Sequence, residues 1–285
     1  MNLRIATAEG LIEPRSGVTV QGPVRVFGDV LIQGDRRLHW HGEAGWTFVA
    51  EAPGLRCAVD APGGLIVGTD GAHLRRLGGD GLELIESFEG IKGRDTWSTP
   101  WGGAPEVRSV ACTADNVLLA NVHVGGIARS ADGGRTWNQT VDIQDDVHQV
   151  RSIRGRADLV VAAAAVGLLV SNNAGLTWRV HSRGLHAPYC RAVAANDDSI
   201  LVSASEGPRG KQSAIYRTDI YATERFERVT GWTDGNVDSH ALDAVGSHAA
   251  FGTPKGEVYE SSDAGVTWSR TQHGLAPVTS LSLVA

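Results

Sequence analysis

Three copies of an eight-residue pattern constrain this chain more than anything else in it. Ser130-Ala-Asp132-Gly-Gly134-Arg-Thr136-Trp137 returns as Ser171-Asn-Asn173-Ala-Gly175-Leu-Thr177-Trp178 and as Ser261-Ser-Asp263-Ala-Gly265-Val-Thr267-Trp268. The first two copies start 41 residues apart and the second and third 90, or two steps of 45. Each part of the pattern serves a chain reversal. An Asp or Asn at the third position accepts hydrogen bonds from turn N–H groups, and Gly at the fifth permits positive φ. Thr-Trp then starts an outer strand whose indole wedges between sheets. A period near 40 residues marks a repeat array. The aspartates are therefore read as structural and assigned no chemistry.

The pattern resembles the Asp-box (BNR-repeat) hairpin of sialidases, sortilin-type receptors, some glycoside hydrolases and a photosystem assembly factor, all of them β-propellers. The resemblance implies an all-β fold, with residues 1–285 as a single propeller domain. Aligning weaker repeats on the strong ones gives four strands per blade. They fall at 147–154, 159–165, 167–171 and 177–181 in the best blade. His41-Gly-Glu43-Ala-Gly45-Trp-Thr47-Phe48 reads as a decayed box. Segments 65–69, 74–77 and 82–88 form a blade without a box, and 215–218 with 226–230 supply another. Residues 3–12 read as a second strand running into a third, with no first strand before them, and 278–285 as a first strand with nothing after it. The last strand is thus expected to complete the first blade and close the ring. Seven four-stranded antiparallel blades are expected; six is the alternative if residues 1–35 collapse into one irregular unit.

Composition narrows the function. A net charge of −6 argues against general nucleic-acid binding or an anionic membrane surface as partner. Cys57, Cys112 and Cys190 are odd in number and lack Cys-x-x-Cys spacing, which reads as buried reduced thiols. Residues 159–170, the longest apolar run, are too short to span a bilayer and suit a buried strand. The Met1-Asn-Leu-Arg4 start has no hydrophobic signal core, so a soluble cytoplasmic protein is expected.

One constellation rises above architecture. Lining up the first strands gives Val24-Arg25-Val26, Leu55-Arg56-Cys57, Val107-Arg108-Ser109, Val150-Arg151-Ser152 and Cys190-Arg191-Ala192. The other two blades give Ser239-His240-Ala241 and Val278-Thr279-Ser280. Five arginines at one strand position are expected to converge at the mouth of a central channel. Each close pair of guanidiniums repels by about 1–4 kcal/mol. Such a cost points to an anion, since planar bidentate donors suit carboxylate, phosphate or sulfate. The alternatives are that each arginine pairs with a local carboxylate or caps strand carbonyls, or that repeat duplication copied it.

Two long loops, 89–104 (with Trp97, Pro100 and Trp101) and 206–213, fall on the same face and mark it as a binding face. Turns there contribute Glu9, Asp35, Asp70, His73, Asn121, His123, Glu206 and Lys255. The loops between blades add Asp145, Asp146, His148, His186 and Tyr189. His123, His148, His186 and His240 lack metal-ligand spacing, so no metal and no cofactor is expected. No Gly-x-Ser-x-Gly, phosphate loop or dinucleotide fingerprint occurs.

The resemblance to sialidases implies an arginine cluster that grips a carboxylate. Their Arg-Ile-Pro motif is approached only by Arg25-Val26-Phe27, and their Tyr–Glu pair only by Tyr189 and Glu206 as placeholders. The photosystem assembly factor implies a seven-bladed ring with an arginine patch for a protein partner. Xyloglucan hydrolases of this kind imply two rings with catalytic aspartates between them. Two readings follow. In the first, Arg25, Arg56, Arg108, Arg151, Arg191 and His240 bind a small anionic ligand or an acidic peptide segment. In the second, a glycosidase-like hydrolase or lyase acts there on a small anionic substrate. Glu9, Glu206, His123, His148 and Tyr189 are then the candidates for proton transfer and attack.

Overall fold

Short strands alternate with glycine-bearing turns along the whole chain in the computed structural model, which describes residues 1–285 except Ser16, Pro100, Trp101 and Ala285. The chain opens with β1 (Asn2–Thr7), β2 (Gly10–Glu13) and β3 (Gly17–Gln21). Next come β4 (Val24–Phe27), β5 (Val30–Gln33), β6 (Arg37–Gly42) and β7 (Gly45–Glu51). The third group is β8 (Leu55–Val59), β9 (Ile66–Thr69), β10 (Leu74–Gly78) and β11 (Gly81–Leu84), followed by the short helix α1 (Glu86–Glu89). Then follow β12 (Val107–Cys112), β13 (Leu118–Val122), β14 (Gly126–Ser130) and β15 (Asn138–Val141). After a 3₁₀ turn at Ile143–Asp145 come β16 (Val147–Ile153), β17 (Arg156–Ala164), β18 (Gly167–Ser171) and β19 (Arg179–His181). The chain continues through β20 (Tyr189–Ala195), β21 (Ser199–Ser205), β22 (Ala214–Asp219) and β23 (Glu227–Arg228). It ends with β24 (Leu242–Val245), β25 (His248–Gly252), β26 (Val258–Ser261), β27 (Ser269–Gln272) and β28 (Val278–Val284).

Six sheets join four consecutive strands each, and the seventh has the order β28-β1-β2-β3. The fold is a seven-bladed β-propeller. The last strand completes the first blade as the sequence implied, with Ile5 opposite Leu281 and Leu3 opposite Leu283. Ser280 and Ser282 on β28 accept the backbone N–H groups of Val26 (2.7 Å) and Gly28 (3.0 Å). Small hydroxyls thereby join one first strand to the next. Among the described residues no helix is long and apolar enough to cross a membrane.

The chain divides into two compact units. The first comprises Met1–Gly28, Ala163–Leu168 and Val180–Ala285, the second Asp29–Ala162 and Leu169–Arg179. Leu201, Ile215, Phe251, Val258 and Leu281 share the core of the first. In the second, Leu55, Ile66, Leu74 and Leu118 are fully buried, and Phe88 of α1 meets Trp137 edge-on with ring centres 5.1 Å apart.

The three strong repeats form the same hairpin. Asp132 Oδ1 accepts the N–H groups of Arg135 and Thr136, both at 2.9 Å, and Gly134 donates its N–H to Ser130 Oγ at 2.8 Å. Gly134, Gly175 and Gly265 have φ of 92°, 78° and 82°. The outer strand begins two residues later than expected, at Asn138, Arg179 and Ser269. The Thr is bound into the turn, and the indole N–H of each Trp goes back to the glycine carbonyl, at 3.1 Å for Trp178. The decayed box at 41–48 adopts a different structure: β6 and β7 stay paired up to Gly42 opposite Gly45, a tight two-residue turn. Segment 82–88 is strand only to Leu84, because the chain then turns into α1 and sends Phe88 into the core.

Candidate functional site

In the second unit β8, β12 and β16 carry Arg56, Arg108 and His148 as their second residues. At Arg56 and Arg108 the pairing register shifts, between Leu55 and Cys57 and between Val107 and Ser109. Such a bulge re-aims the side chain it carries. Two residues upstream of Arg108 and of His148 stand Glu106 and Asp146.

These side chains form a line of alternating charge. Arg56 donates to both oxygens of Asp70, Nη2 reaching Oδ2 at 2.7 Å, and its Nε lies 3.3 Å from Glu106 Oε2. Glu106 Oε1 is 3.7 Å from Arg108 Nε and 3.9 Å from His123 Nδ1. His123 Nε2 stands 3.5 Å from Asp146 Oδ1, and His148 Nε2 3.4 Å from Asp146 Oδ2. The histidine side chains are the most buried of the line, 1% exposed at His148 and 8% at His123, and Asp70 is the most exposed at 44%.

The backbone fixes Asp146 tightly. It follows the 3₁₀ turn, which Asp142 caps by accepting the Gln144 N–H at 2.9 Å, and it takes φ 46°, a left-handed conformation uncommon outside glycine. The two imidazoles hold its carboxyl well below the usual carboxylate range. The Arg56 guanidinium is raised, chiefly by its bond to Asp70.

Of the residues singled out in the sequence, Arg56, Arg108, His123 and His148 meet in this cluster. Arg151 lies on the same strand but as the fifth residue of β16, three positions beyond His148. The first unit holds the others. Arg25 is the second residue of β4 and half-buried. Arg191 Nη2 binds Asp238 Oδ1 at 2.6 Å. His240, at φ 68°, sets its ring edge-on to Phe27 with centres 5.0 Å apart. Tyr189 opens β20, Glu9 is exposed in the β1–β2 turn, and Glu206 pairs with Lys211 at 3.0 Å. His186 Nδ1 is 2.7 Å from the Tyr216 hydroxyl. Trp97 is buried against Phe88 with Arg94 across its ring at 5.2 Å, so it belongs to the core. Asn121 is buried and donates to Ser109 Oγ. Pro100 and Trp101 lie outside the described residues.

Sequence reasoning missed Glu106, which follows Pro105 at the end of a loop and has no counterpart in the strong repeats. A signal was present: Glu106-Val-Arg108 and Asp146-Val-His148 share an acid-x-base spacing.

No family model matches the chain, and no curated protein matches it. Solved structures do. An ancestral GH74 enzyme superposes with a TM-score of 0.60 at 15% identity, covering 96% of this chain and 40% of its own. The GH74 xyloglucanase from Xanthomonas campestris gives 0.58 at 16%, covering 95% and 46%. The computationally designed Ika8 protein gives 0.62 at 13%, covering 100% and 88%. This chain spans less than half the length of the two GH74 proteins. Likeness at these identities establishes the propeller fold alone.

Proposed function

We propose that this propeller is a binding module that takes a small anionic group, a carboxylate, phosphate or sugar acid, at Arg108. Arg56, Asp70 and Glu106 form a frame of fixed charges around it. The three hairpins are read as Asp-boxes, which build the scaffold and leave recognition to the first strands. One observation carries the reading. The bulges in β8 and β12 bring Arg56 and Arg108 to the same carboxylate, Glu106, at 3.3 and 3.7 Å. Arg56 is also bound by Asp70, and Arg191 by Asp238. Two planar guanidiniums drawn to one place offer an oxyanion bidentate contacts. Of the five arginines read from the sequence, this reading uses Arg108 and its neighbour Arg56.

The test is thermal denaturation with phosphate, citrate and glucuronate, on wild type, Arg108→Ala and Arg191→Ala. Wild type and Arg191→Ala are expected to be stabilised, and Arg108→Ala to lose that response. Equal stabilisation of all three overturns the reading. If no small anion acts but an acidic peptide does, with the same dependence on Arg108, the ligand is a protein segment.

A glycosidase-like activity is the second reading, favoured by Asp145. Its carboxyl is raised by burial and by the nearby Asp142 charge, the direction that suits a proton donor to a glycosidic oxygen. Release of sugar from xyloglucan or sialosides by wild type and not by Asp145→Asn would establish it. Equal rates in the two proteins, or none in either, would remove it.

A further inference from the structure

We propose that His123, Asp146 and His148 form a binding site for a divalent transition-metal ion of the zinc class. Their ligand atoms all lie within 4.8 Å of one another. The contacts to Asp146, 3.5 Å from His123 and 3.4 Å from His148, exceed the roughly 2.7–3.2 Å of an N–H···O hydrogen bond. Asp146 Oδ1 is closed off from solvent and accepts no hydrogen bond of good geometry. Two ligands of a tetrahedral ion with bonds of about 2.0–2.1 Å sit roughly 3.3 Å apart, close to what these contacts show.

The supports of the three side chains are rigid. His123 follows β13, and its N–H is held by Glu106 O at 2.9 Å. His148 is the second residue of β16, and Asp146 is fixed by the capped 3₁₀ turn. Holding a non-glycine residue at φ 46° is a strain of the kind found at ligand clamps. On the other side of the His123 ring, Glu106 Oε1 lies 3.9 Å from Nδ1, beyond hydrogen-bond distance. Two nitrogens and one oxygen select zinc, cobalt, nickel or copper over calcium and magnesium, which call for six or more oxygens. Three protein ligands leave at least one position on the ion for water or a bound group. The site and the anion reading use different side chains, so either can fail without the other.

The experiment uses tag-free, EDTA-treated full-length chain titrated with Zn²⁺ and Co²⁺, followed by gel filtration and metal analysis. Wild type is expected to retain one equivalent, to melt higher with Zn²⁺, and to develop visible Co²⁺ bands. Asp146→Asn and His123→Gln, with folding checked by circular dichroism, are expected to weaken binding at least about tenfold. His186→Gln is expected to leave it unchanged. Retention of no metal by wild type overturns the proposal, as does wild-type affinity in both Asp146→Asn and His123→Gln. Because His123 lies just beyond β13, His123→Gln keeps the test decisive should Asp146→Asn fail to fold.

Discussion

Thr267 is tied twice to Asp263: its backbone N–H donates to Oδ1 at 2.9 Å and its hydroxyl to Oδ2 at 2.5 Å. These bonds, with help from Ser261, lower the Asp263 carboxyl to about 2. An unfolded Asp titrates near 3.9. The folded value is the lower one, so the hairpin's stability is fully present above about pH 4 and is lost as pH falls toward 2. Asn173 fills the same position in the second hairpin and cannot titrate. Protection of the Thr267 amide from hydrogen exchange is therefore expected to fall across this window while that of Thr177 holds. Asp263→Asn should remove the difference; equal loss at both amides would refute the assignment.

Two glycines with the same φ of 73° separate backbone strain from steric exclusion. A Cβ on Gly256 would meet Leu275 O at 1.8 Å, whereas one on Gly274 meets nothing within 4 Å. Gly274→Ala is expected to cost about 1 kcal/mol, the left-handed penalty alone. Gly256→Ala is expected to cost at least about 2 kcal/mol more, since backbone has to move. Urea denaturation of both variants measures the gap.

Phe251 is 1% exposed, stacks on Tyr259 with ring centres 4.8 Å apart, and meets Trp268 edge-on at 5.0 Å. Phe251→Ala should cost about 3–5 kcal/mol. Leu176→Ala, at a residue 56% exposed in the same kind of turn as Val266, should stay within about 0.5 kcal/mol. Chemical denaturation distinguishes the two.

The thiols should differ in reactivity. Cys57 and Cys190 are buried, and burial pushes the Cys190 thiol far up. Cys112 is half-buried, and its thiol is raised by burial and then by Asp60. In the folded chain a disulfide reagent should label Cys112 slowly and the other two hardly at all, with all three reacting in urea. Rapid labelling of Cys190 in the native state would contradict its packing.

What the sequence made legible was whatever is local. The hairpins at 130–137, 171–178 and 261–268 could be read because their donors and acceptors lie within four residues. Closure by β28 could be read from the phase of the repeats at the two ends. The polar cluster was only half visible. Glu106 and Asp146 sit in connections whose length varies from blade to blade, so no repeat marks them. The bulges at Arg56 and Arg108 change where a strand position points. In β16, which starts at Val147 as expected, Arg151 is the fifth residue and His148 the second, and no letter of the repeat announces that His148 joins the cluster. At 41–48 the letters of the repeat survived without its geometry, because two glycines allow a shorter turn.

Residues 2–7 obtain their neighbour on one side only from residues 278–284. During synthesis residues 2–7 therefore wait, with one margin unprotected, until residues 278–284 have left the ribosome. Contacts between such distant segments form slowly, and uncovered strand margins recruit other chains meanwhile. Chaperone demand should thus persist until residues 278–284 emerge, and a permuted chain that joins 284 to 2 and opens elsewhere should fold with less of it.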